Sequence, residues 1–315
     1  MPARITTTLY TDPACPWAYS ESPPLRVLEW RYGAQLDWRL VVIGLTEQAQ
    51  QYLDRGYTPL RAARGQARFR RYGMPFAPTP KARVAATARA CRAIVAARLT
   101  EPGSEWRALR ALQLCQFTTP LILDDDEAAS RVVAAATGLD ADELRAALDA
   151  PAVSEAYRRD KAEARTAAAT AAELQGKTAT TDGPVRFTAP SVTFERGGVR
   201  LVAGGFQPIE AYDVLVANLD TRLERRQPPA DPAELVDAFA DGLTTQEIAA
   251  LLADGNDAPD RPAAEQAMLE LVADGRAARV QLGDDALWAA PAAAARMYAV
   301  LAEAGAVEHL GAVGF

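Results

Sequence analysis

The order of secondary-structure signals in this 315-residue chain predicts an α/β protein: a β-α-β start, a large helical insert, a β-β-α return, and a small helical unit with a β-ribbon at the end. Three observations carry the prediction. Strand-like alternation is confined to separated parts of the chain, helical periodicity fills the space between them, and the charge balance changes sign near residue 230.

Residues 4–10 alternate and are rich in β-branched side chains, 17–31 place apolar residues at helical spacing, and 36–43 again read as strand. Gly33 stands where a glycine in the left-handed region closes a helix. From about residue 46 to 178 the pattern is one of successive helices, interrupted at 73–80, at 101–104, around Pro120 and around Gly138. Strand signals return at 191–194 and 199–203 with a turn at 195–198, a hairpin pattern, and a helix follows over about 208–219.

The run Gln227-Pro228-Pro229-Ala230-Asp231-Pro232 reads as a linker, so residues 226–232 are expected to separate a unit of 1–225 from one of 233–315. Beyond it come helical patterns near 233–240, 245–253 and 262–274, then a ribbon over 278–288 and an alanine-rich helix over 291–304. Three helices and a ribbon predict a winged-helix-like unit, and Thr244 with Glu247 predicts a capping box on its second helix.

The composition, 49% hydrophobic, 24% charged and 7% aromatic, is that of a globular and strongly helical chain. No stretch approaches the roughly 18 apolar residues of a membrane span. Met1 leads almost directly into the first strand, so no signal peptide is expected, and the odd, sparse set of Cys15, Cys91 and Cys115 fits a reducing, cytoplasmic setting.

Residues 231–315 hold fifteen acids against four arginines, a net −11, whereas the first 230 residues hold 30 bases and 26 acids, a net +4. Between Arg55 and Arg98 lie eleven Lys and Arg and no acid. That stretch is readable as a solvated helix face, as an anion site, or as a docking face for the acidic unit.

The segment Asp12-Pro13-Ala14-Cys15-Pro16-Trp17-Ala18-Tyr19 joins the first strand to the first helix. A cysteine there faces free backbone N–H groups and the positive end of the helix dipole, which predicts a lowered pKa for the Cys15 thiol. Pro16 fits the first helical turn, where its missing donor has no intrahelical partner.

These residues resemble the active-site segment of DsbA-like proteins, the group of FrnE-type dithiol oxidoreductases, 2-hydroxychromene-2-carboxylate isomerases and kappa-class glutathione transferases. Thr188-Ala189-Pro190-Ser191 resembles the cis-proline segment of thioredoxin folds, and the likeness extends over about residues 4–220. The resemblance implies a thioredoxin-like fold, Cys15 as the catalytic thiol, and Asp12, Pro16, Trp17, Tyr19, Ala189 and Pro190 around the substrate. Where dithiol members carry a second cysteine this chain has Ala18, so a mixed disulfide on Cys15 has no neighbouring thiol to resolve it.

The first functional expectation is therefore a thiol-dependent oxidoreductase, transferase or isomerase. It would use Cys15 on a small-molecule or thiol substrate with a low-molecular-weight thiol as cosubstrate and no tightly bound cofactor. The alternative is a non-catalytic adaptor that binds a protein client; a homodimer is left open. Cys91 and Cys115 fall in apolar helices and read as core. No metal cluster or phosphate-cradling glycine loop is present, and the single His309 lies far along the chain from Cys15. The acidic helix of 262–274 argues against nucleic acid as a partner, and a membrane is not expected either.

Overall fold

The computed structural model describes residues 4–255 and 257–306. In chain order, β1 (Ile5–Thr11) leads to α1 (Pro16–Ser20), α2 (Ser22–Tyr32) and β2 (Leu36–Val42). The insert supplies α3 (Gln50–Asp54), α4 (Pro59–Phe69), α5 (Ala88–Thr100), α6 (Ser104–Thr118), α7 (Asp126–Thr137), α8 (Ala141–Ala147), α9 (Pro151–Ala164) and α10 (Ala171–Leu174). Then come β3 (Thr178–Ala179), β4 (Arg186–Phe187), β5 (Ser191–Arg196), β6 (Val199–Gly204) and α11 (Ile209–Leu219). The last part holds α12 (Ala233–Ala238), β7 (Leu243–Thr244), α13 (Thr245–Leu252), α14 (Arg261–Ala273), β8 (Ala278–Leu282), β9 (Asp285–Ala289) and α15 (Pro291–Glu303).

The single helix expected over 17–31 is two helices that meet at Glu21. Pro23 and Pro24 are the cause: neither has an N–H to give to the carbonyls one turn back, so the ladder begun at Pro16 cannot continue through them. The short ribbon β3/β4 is a second departure from the expected pattern.

The main sheet has the order β2-β1-β5-β6, with β1 parallel to β2 and antiparallel to β5. Strand alternation sorts its side chains to two faces. Ile5, Leu9, Leu40 and Val42 enter the main core with α5 and α6, while Tyr10 and Val41 pack on the opposite face with Ala164, Ala172 and Phe187. Because Tyr10 pairs with Ser191, the start of β5 arrives beside the end of β1, and Ala189-Pro190 is brought to Cys15 from 174 residues away.

The C-terminal elements form four helices, α12 to α15, and a three-stranded sheet of order β7-β9-β8. Trp30 of α2 joins their core, and α15 packs on α7 and α6. At the centre of this contact the buried Glu247 carboxylate accepts two bonds of 2.9 Å from the Arg110 guanidinium, one of 2.7 Å from Thr244 N, and one from the Ser22 hydroxyl. The expected capping box is present, so one carboxylate both starts α13 and anchors it to α6.

Among the described residues, Arg70 is the one of the eleven bases between Arg55 and Arg98 that pairs with a C-terminal acid, Asp284, while Arg83, Arg89 and Arg98 pair with acids of the insert. Docking therefore rests less on that stretch's charge than on apolar packing and on backbone: Asp284 Oδ1 accepts from Phe76 N at 2.7 Å, and Asp284 N donates to Phe76 O at 3.1 Å.

Burial alone would raise the Glu247 pKa, but the Arg110 guanidinium more than offsets it and holds the group at about 2 against an ordinary 4.5. That stabilisation is present above about 4.5 and is lost as the pH falls toward about 2. Arg110→Met strands the buried carboxylate and is expected to cost about 3–5 kcal/mol near neutrality in denaturant titrations. The cost should shrink across the same acidic window; a loss below about 1 kcal/mol at neutral pH would place the anchor elsewhere.

Candidate active site around Cys15

Asp12 builds the turn that presents Cys15. Its carboxylate accepts from Ala14 N at 2.9 Å, which closes an Asx turn, and from Leu45 N and the Thr87 hydroxyl, each at 2.9 Å. The Cys91 thiol donates to the same oxygen at 3.6 Å. One buried side chain thus ties the β1–α1 turn to the segment after β2 and to the start of α5. Burial pushes the Asp12 pKa up, against the pull of the amides of Leu45 and Ala14 and of Thr87 and Cys91.

Cys15 is the N-cap of α1 and is 8% exposed. Its thiol donates to the Ala189 carbonyl oxygen at 3.0 Å, and the Ala189–Pro190 peptide is cis. The expected lowering of its pKa is corrected by the structure: burial pushes the thiol up to about 12, and the Asp12 carboxyl adds to this. The Ala18 and Trp17 amides and the Arg186 guanidinium pull the other way and do not win. The helix that was to supply the dipole is only five residues long, and at 8% exposure a thiolate at this position is poorly solvated.

Cys15 opens onto a cavity of about 600 Å³ walled by Pro16, Trp17, Tyr52, Phe69 and Phe117 and roofed by α4. Trp17, 40% exposed, sits in an aromatic corner with its ring 4.8 Å from Phe69, 5.6 Å from Tyr72 and 5.4 Å from Phe206. Ala189 meets the Cys15 thiol from the sheet side, and both it and Pro190 are buried. Tyr19, expected at the substrate, instead points into the core: it stacks on Phe117 at 4.7 Å and its hydroxyl donates to Pro75 O at 2.9 Å. Being two residues beyond Trp17 on a helix turns it to the other side.

Cys91 and Cys115 are fully buried free thiols, and burial raises both. His309 lies outside the described residues. Among the described residues no group of three or more His, Cys, Asp or Glu is placed to hold a metal, and no helix is long and apolar enough to cross a membrane. The sequence reading missed Thr87 and Leu45, which share Asp12, and the roof α4. Thr58-Pro59 was a usable signal for α4, since Thr58 Oγ1 caps it by accepting from Arg61 N at 3.1 Å.

A β-α-β/β-β-α sheet with a cysteine at the first helix N-terminus and a cis-proline segment facing it defines a thioredoxin-type protein of the thiol–disulfide class. The chain belongs to the DSBA-like thioredoxin domain family, whose model matches residues 6–170. Among solved structures, a probable DsbA oxidoreductase from Streptomyces coelicolor is 19% identical with a TM-score of 0.51, over 72% of this chain and 93% of that one. The cytosolic disulfide reductase DsbM from Pseudomonas aeruginosa is 23% identical with a TM-score of 0.48, over 69% and 98%. No match was found among curated proteins.

Asp12→Ala removes the acceptor for two amides and a buried hydroxyl. It should cost about 3 kcal/mol or more in chemical denaturation. A loss of less than about 1 kcal/mol would show that the turn is held by other means.

Proposed function

We propose that this protein is a single-thiol enzyme in which Cys15 exchanges with disulfides of small molecules and is released by a low-molecular-weight thiol. The observation that carries the reading is the opening of Cys15 onto a roofed cavity of about 600 Å³, a size and concavity suited to a small ligand. In the forward step the Cys15 thiolate attacks one sulfur of the substrate disulfide; a Cys15–S–S–R bond forms, the substrate S–S bond breaks, and the departing sulfur takes the proton that Cys15 gave up. A small thiol then attacks the substrate-derived sulfur of that mixed disulfide; its bond to that sulfur forms, the Cys15–sulfur bond breaks, Cys15 takes up the proton the incoming thiol gave up, and the two small-molecule sulfurs leave as the new disulfide. Ala18, 5% exposed where the dithiol motif has its second cysteine, supplies no internal resolving group, so the cosubstrate must.

The high pKa of Cys15 and the loss of that second cysteine favour a second reading, a non-catalytic adaptor that keeps the fold and binds a protein client. The two separate in one experiment. Incubation with oxidised low-molecular-weight thiols at mildly alkaline pH should give, by intact mass, one adduct per chain that is absent from Cys15→Ser and reversed by the reduced thiol. In Ala18→Cys the adduct should be replaced by a loss of two hydrogens as the introduced thiol resolves it. A wild-type chain that stays unmodified while the Ala18→Cys chain also stays reduced would leave the adaptor.

A further inference from the structure

The cavity beside Cys15 is lined by cations and, among the described residues, by no carboxylate. Arg61, Arg64 and Arg68 share one face of α4, and all three are among the residues that line the cavity. Arg61 is spent on the carbonyls of Arg55 and Gly56, at 3.3 and 3.0 Å, and stacks on Tyr57. Arg64 and Arg68 make no ion pair or hydrogen bond among the described residues. The absence of any acid from Arg55 to Arg98 denies them a partner on their own helix.

A fourth cation of the lining comes from the segment between α4 and α5. Lys81 Nζ donates to Gln116 Oε1 at 2.7 Å and to the Leu121 carbonyl, both neutral, and has no carboxylate partner among the described residues. Burial lowers it to about 7. Arg83, the last cation of the lining, is neutralised by Asp124. A buried ammonium held by carbonyl dipoles without a counter-charge is costly, and a ligand oxyanion is what would complete it.

We propose that this cavity binds an organic anion, with a carboxylate or phosphate group held by Lys81 together with Arg64 and Arg68 of α4, and an apolar body lying against Trp17, Phe69 and Phe117. The inference rests on the reading of the cavity as a small-molecule site and names the chemical class of its ligand. Anion recognition needs the cations and the aromatic walls; it does not need the thiol. The two ideas can therefore fail separately.

Calorimetric titration of the full chain at low salt with 4-phenylbutyrate, 4-phenylbutyl phosphate and the neutral 4-phenyl-1-butanol tests it. At least one anion should bind roughly tenfold or more tighter than the alcohol, which corresponds to about 1.4 kcal/mol, and the stronger of the two identifies the group preferred. Cys15→Ser should keep that preference even if it abolishes thiol adducts. Arg64→Gln/Arg68→Gln, at two exposed positions whose replacement leaves the core untouched, should reduce the preference to about twofold or less, as should Lys81→Met. Equal binding of alcohol and anions, no binding by any of the three, or a preference that survives in the double arginine variant overturns the proposal.

Discussion

The Asp12 carboxylate is the constraint on which the rest of the site depends. It is fully buried yet accepts from two backbone amides and a hydroxyl at 2.9 Å, drawn from the β1–α1 turn, the loop beyond β2 and the start of α5. Each of those segments carries part of the pocket: the first ends in Cys15, the second holds Leu45, and the third continues the Lys81–Ala85 stretch. A short side chain with two acceptor oxygens can serve three donors within one turn; a longer one could not place its acceptors so close to its own backbone, and the amide of Asn offers only one acceptor oxygen. The sheet register then adds the last component, because β5 beside β1 delivers the Ala189 carbonyl to the thiol.

The same burial that fixes the geometry sets the chemistry. Helix-terminal amides stabilise a thiolate, but only about as much as a short exposed helix end can, whereas removal from water disfavours the charged form more strongly. At Cys15 the second effect prevails, and the resting thiol spends its proton on Ala189 O. Such a thiol is protected from adventitious oxidation, and the thiolate that does form is the more nucleophilic for its high basicity. With Ala18 beside it, Cys15 has no second motif cysteine to resolve a mixed disulfide, which is why the proposed exchange calls for an external thiol.

Much of this was legible in the sequence, and the particular failures have physical reasons. The β-α-β start, the β5/β6 hairpin, α11 and the cap at Thr244 were readable because each is specified by residues within a few positions of one another. Pro23-Pro24 was equally local, and its division of the first helix was overlooked in favour of the apolar period around it. The inward turn of Tyr19 depends on where α1 begins and on Phe76 and Phe117, which lie far along the chain. The Cys15 pKa depends on how much water the finished fold admits, a property of no single segment. The grouping of Lys81 with α4 arose likewise from tertiary packing, although the acid-free stretch that contains both was visible at once.

The thiol's resting state is the point on which the account turns. Ultraviolet thiolate absorbance, recorded against pH as the difference between wild type and Cys15→Ser, reports that group alone. The account predicts that the Cys15 thiolate does not appear until well above the unperturbed midpoint of about 8.5, toward the value of about 12 that burial imposes. A midpoint below about 7, the range of cysteines activated at helix N-termini, would contradict it.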